Sequence, residues 1–420
     1  MTTGTAVPTP TTEGEAADSS IGGAVRAYVD KLRGGDVGSL PAVLGFVALV
    51  IFFSAMRPDS FASTRNAANL LNQAAPVIFI AIGLIFILLL GDIDLAAGYT
   101  AGVGAAVLAV LITQHHIAWP IAVLACVATG AVIGAFQGTI VAWLNIPSFV
   151  VTLAGFLAFQ GVLLLIVGEG GTIGVTQDTI LSIMNKNLSP VLGWVLSAII
   201  VIGYAAIALF GSATRRRAGL PVASSAVIGA KVAALAVIMI VVTILFNQER
   251  AVNPAIKSLK GIPMIVPFTL VFLLALTFLL GRTAFGRHVY AVGGNTEAAR
   301  RAGINVGAIK IACFTIGGFM ASVGGILFAS YNNGVSPTTG GSSTLLYAVG
   351  AAVIGGTSLF GGKGRIIDAI LGGLVVAVIQ NGLPLITQKS GIQFIVTGAV
   401  LLLAASVDAL SRRRSAATGR

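Results

Sequence analysis

The sequence predicts an all-α polytopic membrane protein, and three observations carry that expectation. Only 9% of the 420 residues are Asp, Glu, Lys or Arg and 56% are hydrophobic, against about 25% charged residues in an ordinary soluble domain. The mean hydropathy is +0.98. The apolar residues are also gathered into runs long enough to cross a bilayer as helices, divided by short polar turns. So few charges cannot coat a water-soluble particle of this size. The 53 glycines fit the same class, because membrane helices approach one another through small residues.

In chain order, residues 1–36 read as a polar, partly disordered N-terminal tail. It is rich in Thr, Ala and Pro, with Glu13, Glu15 and Asp18, followed by Arg26, Lys31 and Arg33 on an expected surface helix. No basic start leads into an apolar core, which excludes a signal peptide. The membrane domain, 37–410, holds about twelve apolar segments, some expected to be broken or re-entrant. They run over 41–56, 74–90, 97–113, 119–143, 148–167, 192–210, 224–246, 264–281, 308–331, 344–361, 366–387 and 391–409. Pro41 suits a first helical turn. A basic tail, 411–420, follows.

The net charge of +11 would point to nucleic acid in a soluble domain, but here the cations follow topology. With the N-terminus placed in the cytoplasm, seventeen Lys and Arg fall on cytoplasmic stretches and seven on the opposite face. The positive-inside bias therefore places both termini, and the loop Gly281–Lys310, in the cytoplasm. Two outer loops, Gly168–Pro190 and Asn247–Pro263, are longer than turns require; they read as a docking surface or as solvated connectors. Cys126 and Cys313 lie in apolar runs and read as buried packing thiols without a disulfide or metal spacing.

The loop Gly281–Lys310 is a charged island with Arg282, Arg287, Arg300, Arg301 and Lys310. Within it, Asn295–Gly303 reads as one short capped helix. Asn295 caps the first free amides and Gly303 takes the left-handed stop. Glu297 complements the positive end of the helix, and the two arginines complement the negative end. A free helix of this length is marginal in water, so it is expected to fold against something. It reads as a cytoplasmic handle by which a partner moves the membrane domain.

Asp92 and Asp94 interrupt an apolar run between Gly91 and Gly98. Two readings stand open: a helix broken there to expose backbone to a polar ligand, or a wet cytoplasmic turn. Asn72, Gln73, Gln137, Gln160, Gln380 and Asn381 are amides inside spans; they glue helices together or line a pathway for a hydroxyl-rich solute. Asp368 near Arg365, and Asp408 one turn before Arg412, read as helix-end pairs. A weak echo aligns 91–98 with 355–362 and marks a possible internal repeat. Gly361-Gly362-Lys363-Gly364 fails as a phosphate loop, since Thr357 stands where Gly is needed and Gly364 where Ser or Thr is needed. His115 and His116 lack a third ligand. No nucleophile sits beside a base and no row of buried carboxylates forms a proton relay, so the chain reads as a conduit without its own energy source and not as an enzyme.

Four motifs together resemble a known family: GDIDLAAG (91–98), Pro147-Ser148-Phe149 followed by VVTL, YAVGGNTEAARRAGINV (290–306) and AVIGGTSLFGGKGR (352–365). Their order over residues 60–410 is similar to the membrane subunit of ribose/xylose-type ATP-binding-cassette sugar importers, and the extra pair of spans near 192–246 is similar to the xylose-type members. The resemblance implies a homodimeric permease in a bacterial cytoplasmic membrane, fed by an extracytoplasmic sugar-binding protein. A separate cytoplasmic ATPase would use ATP and Mg²⁺, with no cofactor on this chain. It also implies that Gly293, Gly294, Asn295, Glu297, Ala298, Ala299, Arg300 and Gly303 form the ATPase-coupling element. The chain departs from the family in having Asp92 in GDIDLAAG, where GGIDLSVG is usual, and in lacking the I-x-L-P that ends the wider importer pattern. The competing readings are an ion-coupled secondary transporter and an importer permease for a branched-chain amino acid or nucleoside.

Overall fold

The computed structural model of the chain describes residues 38–220, 222, 224–251 and 258–417. The expected N-terminal tail, Lys257 and Arg420 lie outside these residues. Twelve apolar helices fall where the sequence places twelve segments. They are α1 (Leu40–Met56), α2 (Thr64–Leu89), α3 (Ala97–Thr113), α4 (Trp119–Leu144), α5 (Ser148–Val167), α7 (Pro190–Arg217), α8 (Ser225–Phe246), α9 (Ile265–Arg282), α12 (Val306–Tyr331), α13 (Ser342–Gly355), α14 (Ile366–Ile386) and α15 (Ser390–Ala417). Between them lie the short helices α6 (Asp178–Asn185), α10 (Ala284–Gly294) and α11 (Thr296–Arg301), and two short strands, β1 (Ile173–Gly174) and β2 (Gly334–Val335). The last helix runs on through Arg412–Arg414 instead of ending before a basic tail at residue 411.

Eight of the helices are long and apolar enough to cross a membrane. In lipid no hydrophobic force pulls helices together, so the core is decided by close packing. Of the most apolar stretches of α2 and α12, 78% and 67% are buried, against 11% for α7, α8 and α9; the first two are the centre and the last three lie at the periphery. The helices α7 and α8 pack mainly on each other and form a peripheral hairpin.

The fold is an inverted repeat. Helix α2 packs on α13 and α14 as α12 packs on α3 and α4, and α3 packs on α4 as α13 does on α14. In each half a 26-residue buried helix (α2 or α12) is followed by a glycine-bounded segment and then a shorter helix (α3 or α13). The segment in the place of Gly91–Gly98 is therefore Gly334–Gly341, not 355–362 as the echo predicts. Residues 355–362 follow their short helix instead of preceding it. The two echo segments nevertheless meet at one end of the bundle, where Gly91 lies against Phe360.

Both short helices begin inside the bundle. Gly98 and Gly102 of α3 pack against the carbonyls of Gly340 and Thr339, where any side chain would collide. Ala96, at the start of α3, flanks Gly155, seven residues or roughly 10 Å into α5. These are half-helices entered from opposite ends, the broken segments expected from the sequence, and their non-helical backbone stays inside protein as a bilayer demands.

Helices α4 and α12 cross at backbone distance. A Cβ on Gly318 would strike the Gly130 carbonyl, and one on Gly134 would strike that of Phe314. Gly318→Ala is therefore expected to lower the thermal unfolding midpoint of the detergent-solubilised protein, at a cost of roughly 1–3 kcal/mol. Gly203→Ala, on the peripheral helix α7 with open space around it, is expected to leave the midpoint unchanged.

Candidate functional site

At the end of the bundle that carries the charged island, the four motifs converge on the turn after α2. The Leu89 carbonyl accepts the Gly362 amide at 2.9 Å, and Gly293 sits so close to it that no side chain fits. Ser148 Oγ accepts the Ile93 amide at 3.0 Å, and Thr152 Oγ1 donates to the Ile93 carbonyl at 3.1 Å. Tyr290 donates its hydroxyl to the Gly364 carbonyl at 2.7 Å. One residue from each motif thus fixes a neighbour from another.

The expected capped helix is α11. Asn295 Oδ1 accepts the Ala298 amide at 2.9 Å, and Glu297 pairs with Arg300 at 2.9 Å on the exposed face. Gly303 has φ +83°. Its amide donates to the Arg300 carbonyl and the Ile304 amide to that of Ala299, the paired bonds of a Schellman stop. Glu297, Ala298 and Arg300 are exposed, and Ala299 is buried in the body of the protein, so the free face of this helix excludes Ala299. Gly294 and Asn295 are exposed at the joint with α10.

The sequence reading missed α10. Its signal was present: Thr283 accepts the Gly286 amide as a cap, and Phe285, Val289 and Val292 stand at i, i+4 and i+7. Phe285 stacks on Phe86 of α2, so this helix seats α11 on the core.

Asp92 and Asp94 lie in a turn, but the turn is not wet: both are buried. Asp92 Oδ2 pairs with Lys310 Nζ at 2.8 Å, and Asp94 Oδ1 accepts the Ala96 amide at 2.8 Å, two residues on. Asp368 pairs with Arg365 at 3.0 Å as expected.

At the opposite end a cleft of about 390 Å³ opens between α2, α12, α13, α14 and α15. Gln73, Gln380 and Gln393 line it with Thr344, Tyr331 and Tyr347, and its wall holds no charged residue. Asn381 donates to Gln73 Oε1 at 3.2 Å and accepts from Asn66 at 2.7 Å. Asn72 belongs to a second, charged pocket with Arg65, Asp178 and Lys186, where it donates to the Met184 carbonyl at 2.9 Å. Gln137 is fully buried on α4 and Gln160 is half-buried on α5, both apart from the cleft. The amides thus divide among several places. Asp92 lies nineteen residues along from Gln73, a helix length of about 28 Å, so the two cannot serve one site.

The described residues of the two long loops at this end are tied down by hydrogen bonds. The strands β1 and β2 pair antiparallel, and Arg65 Nε donates to the Arg250 carbonyl at 2.8 Å. The Leu259 and Ala251 amides and the Ser258 hydroxyl hold the Glu249 carboxyl down at about 2. Cys126 and Cys313 are buried free thiols. Among the described residues no three His, Cys, Asp or Glu side chains gather as a metal site.

Residues 66–405 match the family model described as branched-chain amino acid transport system / permease component. The xylose transport system permease protein XylH of Escherichia coli (strain K12) is 34% identical over 375 residues, 89% of this chain and 92% of that protein. XylH of Haemophilus influenzae is 32% identical over 372 residues, 89% and 96% of the two chains. The ribose import permease protein RbsC of E. coli (strain K12) is 31% identical over 384 residues, 91% and 96%. No solved structure matches the chain.

Removing Lys310, itself only half-buried, strands the buried Asp92 carboxylate, at a cost toward or below the roughly 3 kcal/mol at which breaking a fully buried pair begins. Lys310→Met is accordingly expected to lower the unfolding midpoint, and adding Asp92→Asn to that variant to restore most of the loss, read by thermal denaturation in detergent.

Proposed function

Since the chain belongs to the branched-chain amino acid transport system permease family, a family of transport permeases and not of enzymes, we propose that it carries a pentose-like sugar inward across a bacterial cytoplasmic membrane as a subunit of an ATP-binding-cassette importer. The observation that carries the sugar assignment is the cleft lined by Gln73, Gln380, Gln393, Tyr331 and Tyr347 without a charged residue. Amides both donate and accept hydrogen bonds, as sugar hydroxyls do, and the tyrosines add apolar faces. A zwitterionic amino acid brings two charges that such a wall leaves unpaired, a costly burial. That argues against the amino-acid cargo named in the family description, and the xylose and ribose permeases among the relatives support a sugar.

Energy enters from a separate ATPase subunit that binds ATP and Mg²⁺ in the cytoplasm and grips the exposed face of α11 through Glu297, Ala298 and Arg300. Gly293 lets α10 seat against Leu89, and Gly294 stands exposed at the joint with α11, so a push on α11 reaches the turn at Asp92 and the start of α3. An extracytoplasmic binding protein docks on the outer loops, and a second copy of the chain completes the path. Both termini face the cytoplasm, in keeping with the basic residues at the α11 end.

Reconstitution with the ATPase and binding protein tests this: labelled xylose or ribose enters vesicles on ATP addition and leucine does not. Uptake driven by an ion gradient alone, without the ATPase, would sink the reading in favour of a secondary transporter. Gly303→Val and Glu297→Trp are each expected to cut uptake by more than about tenfold while ATP hydrolysis continues. Unchanged transport in both counts against the handle role.

A further inference from the structure

We propose that a phospholipid acyl chain fills the groove between the peripheral hairpin α7/α8 and the body of the protein, and that this lipid holds the hairpin in place. The proposal needs only the membrane-spanning fold and is independent of the solute carried. The groove measures about 550 Å³, with α1, α2 and α14 on one side and α7 and α8 on the other. Of the described residues that line it, only Ser54, Ser63 and Asn66 are polar.

Its depth and its polarity run along the helices. The mouth lies at the end opposite the charged island, where Ser63 and Asn66 begin α2 and Phe246 closes α8. The floor is set by Phe46, ten residues short of the end of α1, and Ile200, ten residues into α7. Leu374, twelve residues short of the end of α14, lies as deep. These are depths of about 15–18 Å, half of the roughly 30 Å hydrocarbon layer. The groove is one leaflet deep, polar at the rim and apolar below, as a glycerolipid is. The rim is also already engaged. Ser63 Oγ donates to the Ser60 carbonyl at 2.9 Å, and Asn66 donates its amide to the Phe61 carbonyl at 3.1 Å. Such a rim suits the ester end of a lipid better than a polar solute.

The walls identify the occupant by exclusion. Leu196, Ile200 and Met239 of the hairpin stand across from Phe46, Val50 and Leu71, and all six are half-buried. An empty gap forfeits the contacts these side chains would make, and water enters only where polar partners await it. A helix of another chain, about 10 Å across and 15 Å long, takes roughly 1,200 Å³, about twice what the groove offers. A single acyl chain is slim enough. The hairpin needs the filler, because α7 and α8 pack mainly on each other. The bond from Arg65 to the Arg250 carbonyl ties the hairpin only beyond its outer end.

Photolabelling of the full chain in phosphatidylglycerol vesicles tests the proposal. The vesicles carry a trace of phospholipid with a diazirine at the end of one acyl chain, and excess unlabelled vesicles are added before irradiation. Label is expected to persist on Phe46 and Leu374 at the groove floor and to be lost from Ile199 of α7, which is 61% exposed. Equal loss at all three positions means passing lipid, and label on Ile199 alone before the chase means that protein covers the groove. Either result overturns the proposal. Ala67→Trp places a large side chain at an exposed position of the mouth. It is expected to abolish the retained label, and with it the rise in thermal midpoint that added phosphatidylglycerol gives the detergent-solubilised wild type. Label retained by this variant, or a wild-type midpoint that does not respond to the lipid, overturns the proposal as well.

Discussion

The approach of α12 to α4 at backbone distance is the constraint on which the remaining structure depends. Lipid tails are as apolar as leucine, so membrane helices gain little by hiding leucine from them and much by fitting together closely. Gly318 against Gly130, and Gly134 against Phe314, let the two helices touch main chain to main chain. The second central helix repeats the device, with Gly83 against Gly317 and Gly324 against Ile80 and Pro76. Once α2 and α12 are held in this way, the half-helices α3 and α13 have only one place to pack, and the inverted symmetry of the two halves follows.

That symmetry gives each end of the molecule a different character. At the basic end the segment after α2 is pinned by Ser148, Thr152, Gly362 and Lys310, so polar backbone at membrane depth is paired within the protein. At the opposite end the segment after α12 leads past a strand pair to a cleft lined by neutral amides and tyrosines. Bonds tie down one end, and a cleft marks the other.

Much of the fold was legible in the sequence, because length and hydropathy alone locate helices in a bilayer; even the stop at Gly303 was readable from its flanking residues. The repeat was legible only in outline. Gly91–Gly98 was paired with the wrong glycine-rich stretch, since glycine spacing does not say whether a segment precedes or follows its half-helix. For Asp92 and Asp94 the sequence offered a ligand site or a wet turn, and the structure shows a buried turn. The partner that made this possible, Lys310, lies more than two hundred residues away and nothing local announces it. The amides inside spans were visible one by one. Their division among the cleft, the charged pocket and the bodies of α4 and α5 depends on helix rotation, which a uniformly apolar helix does not encode.

The short rod between α10 and α12 has a mechanical consequence. It is capped by Asn295 at one end and by the Schellman bonds at the other, with Glu297 and Arg300 paired along its exposed face. A floppy connector in the same position would absorb a small stroke in its own bending. A pin six residues long, capped at both ends, would lose less of such a stroke in bending.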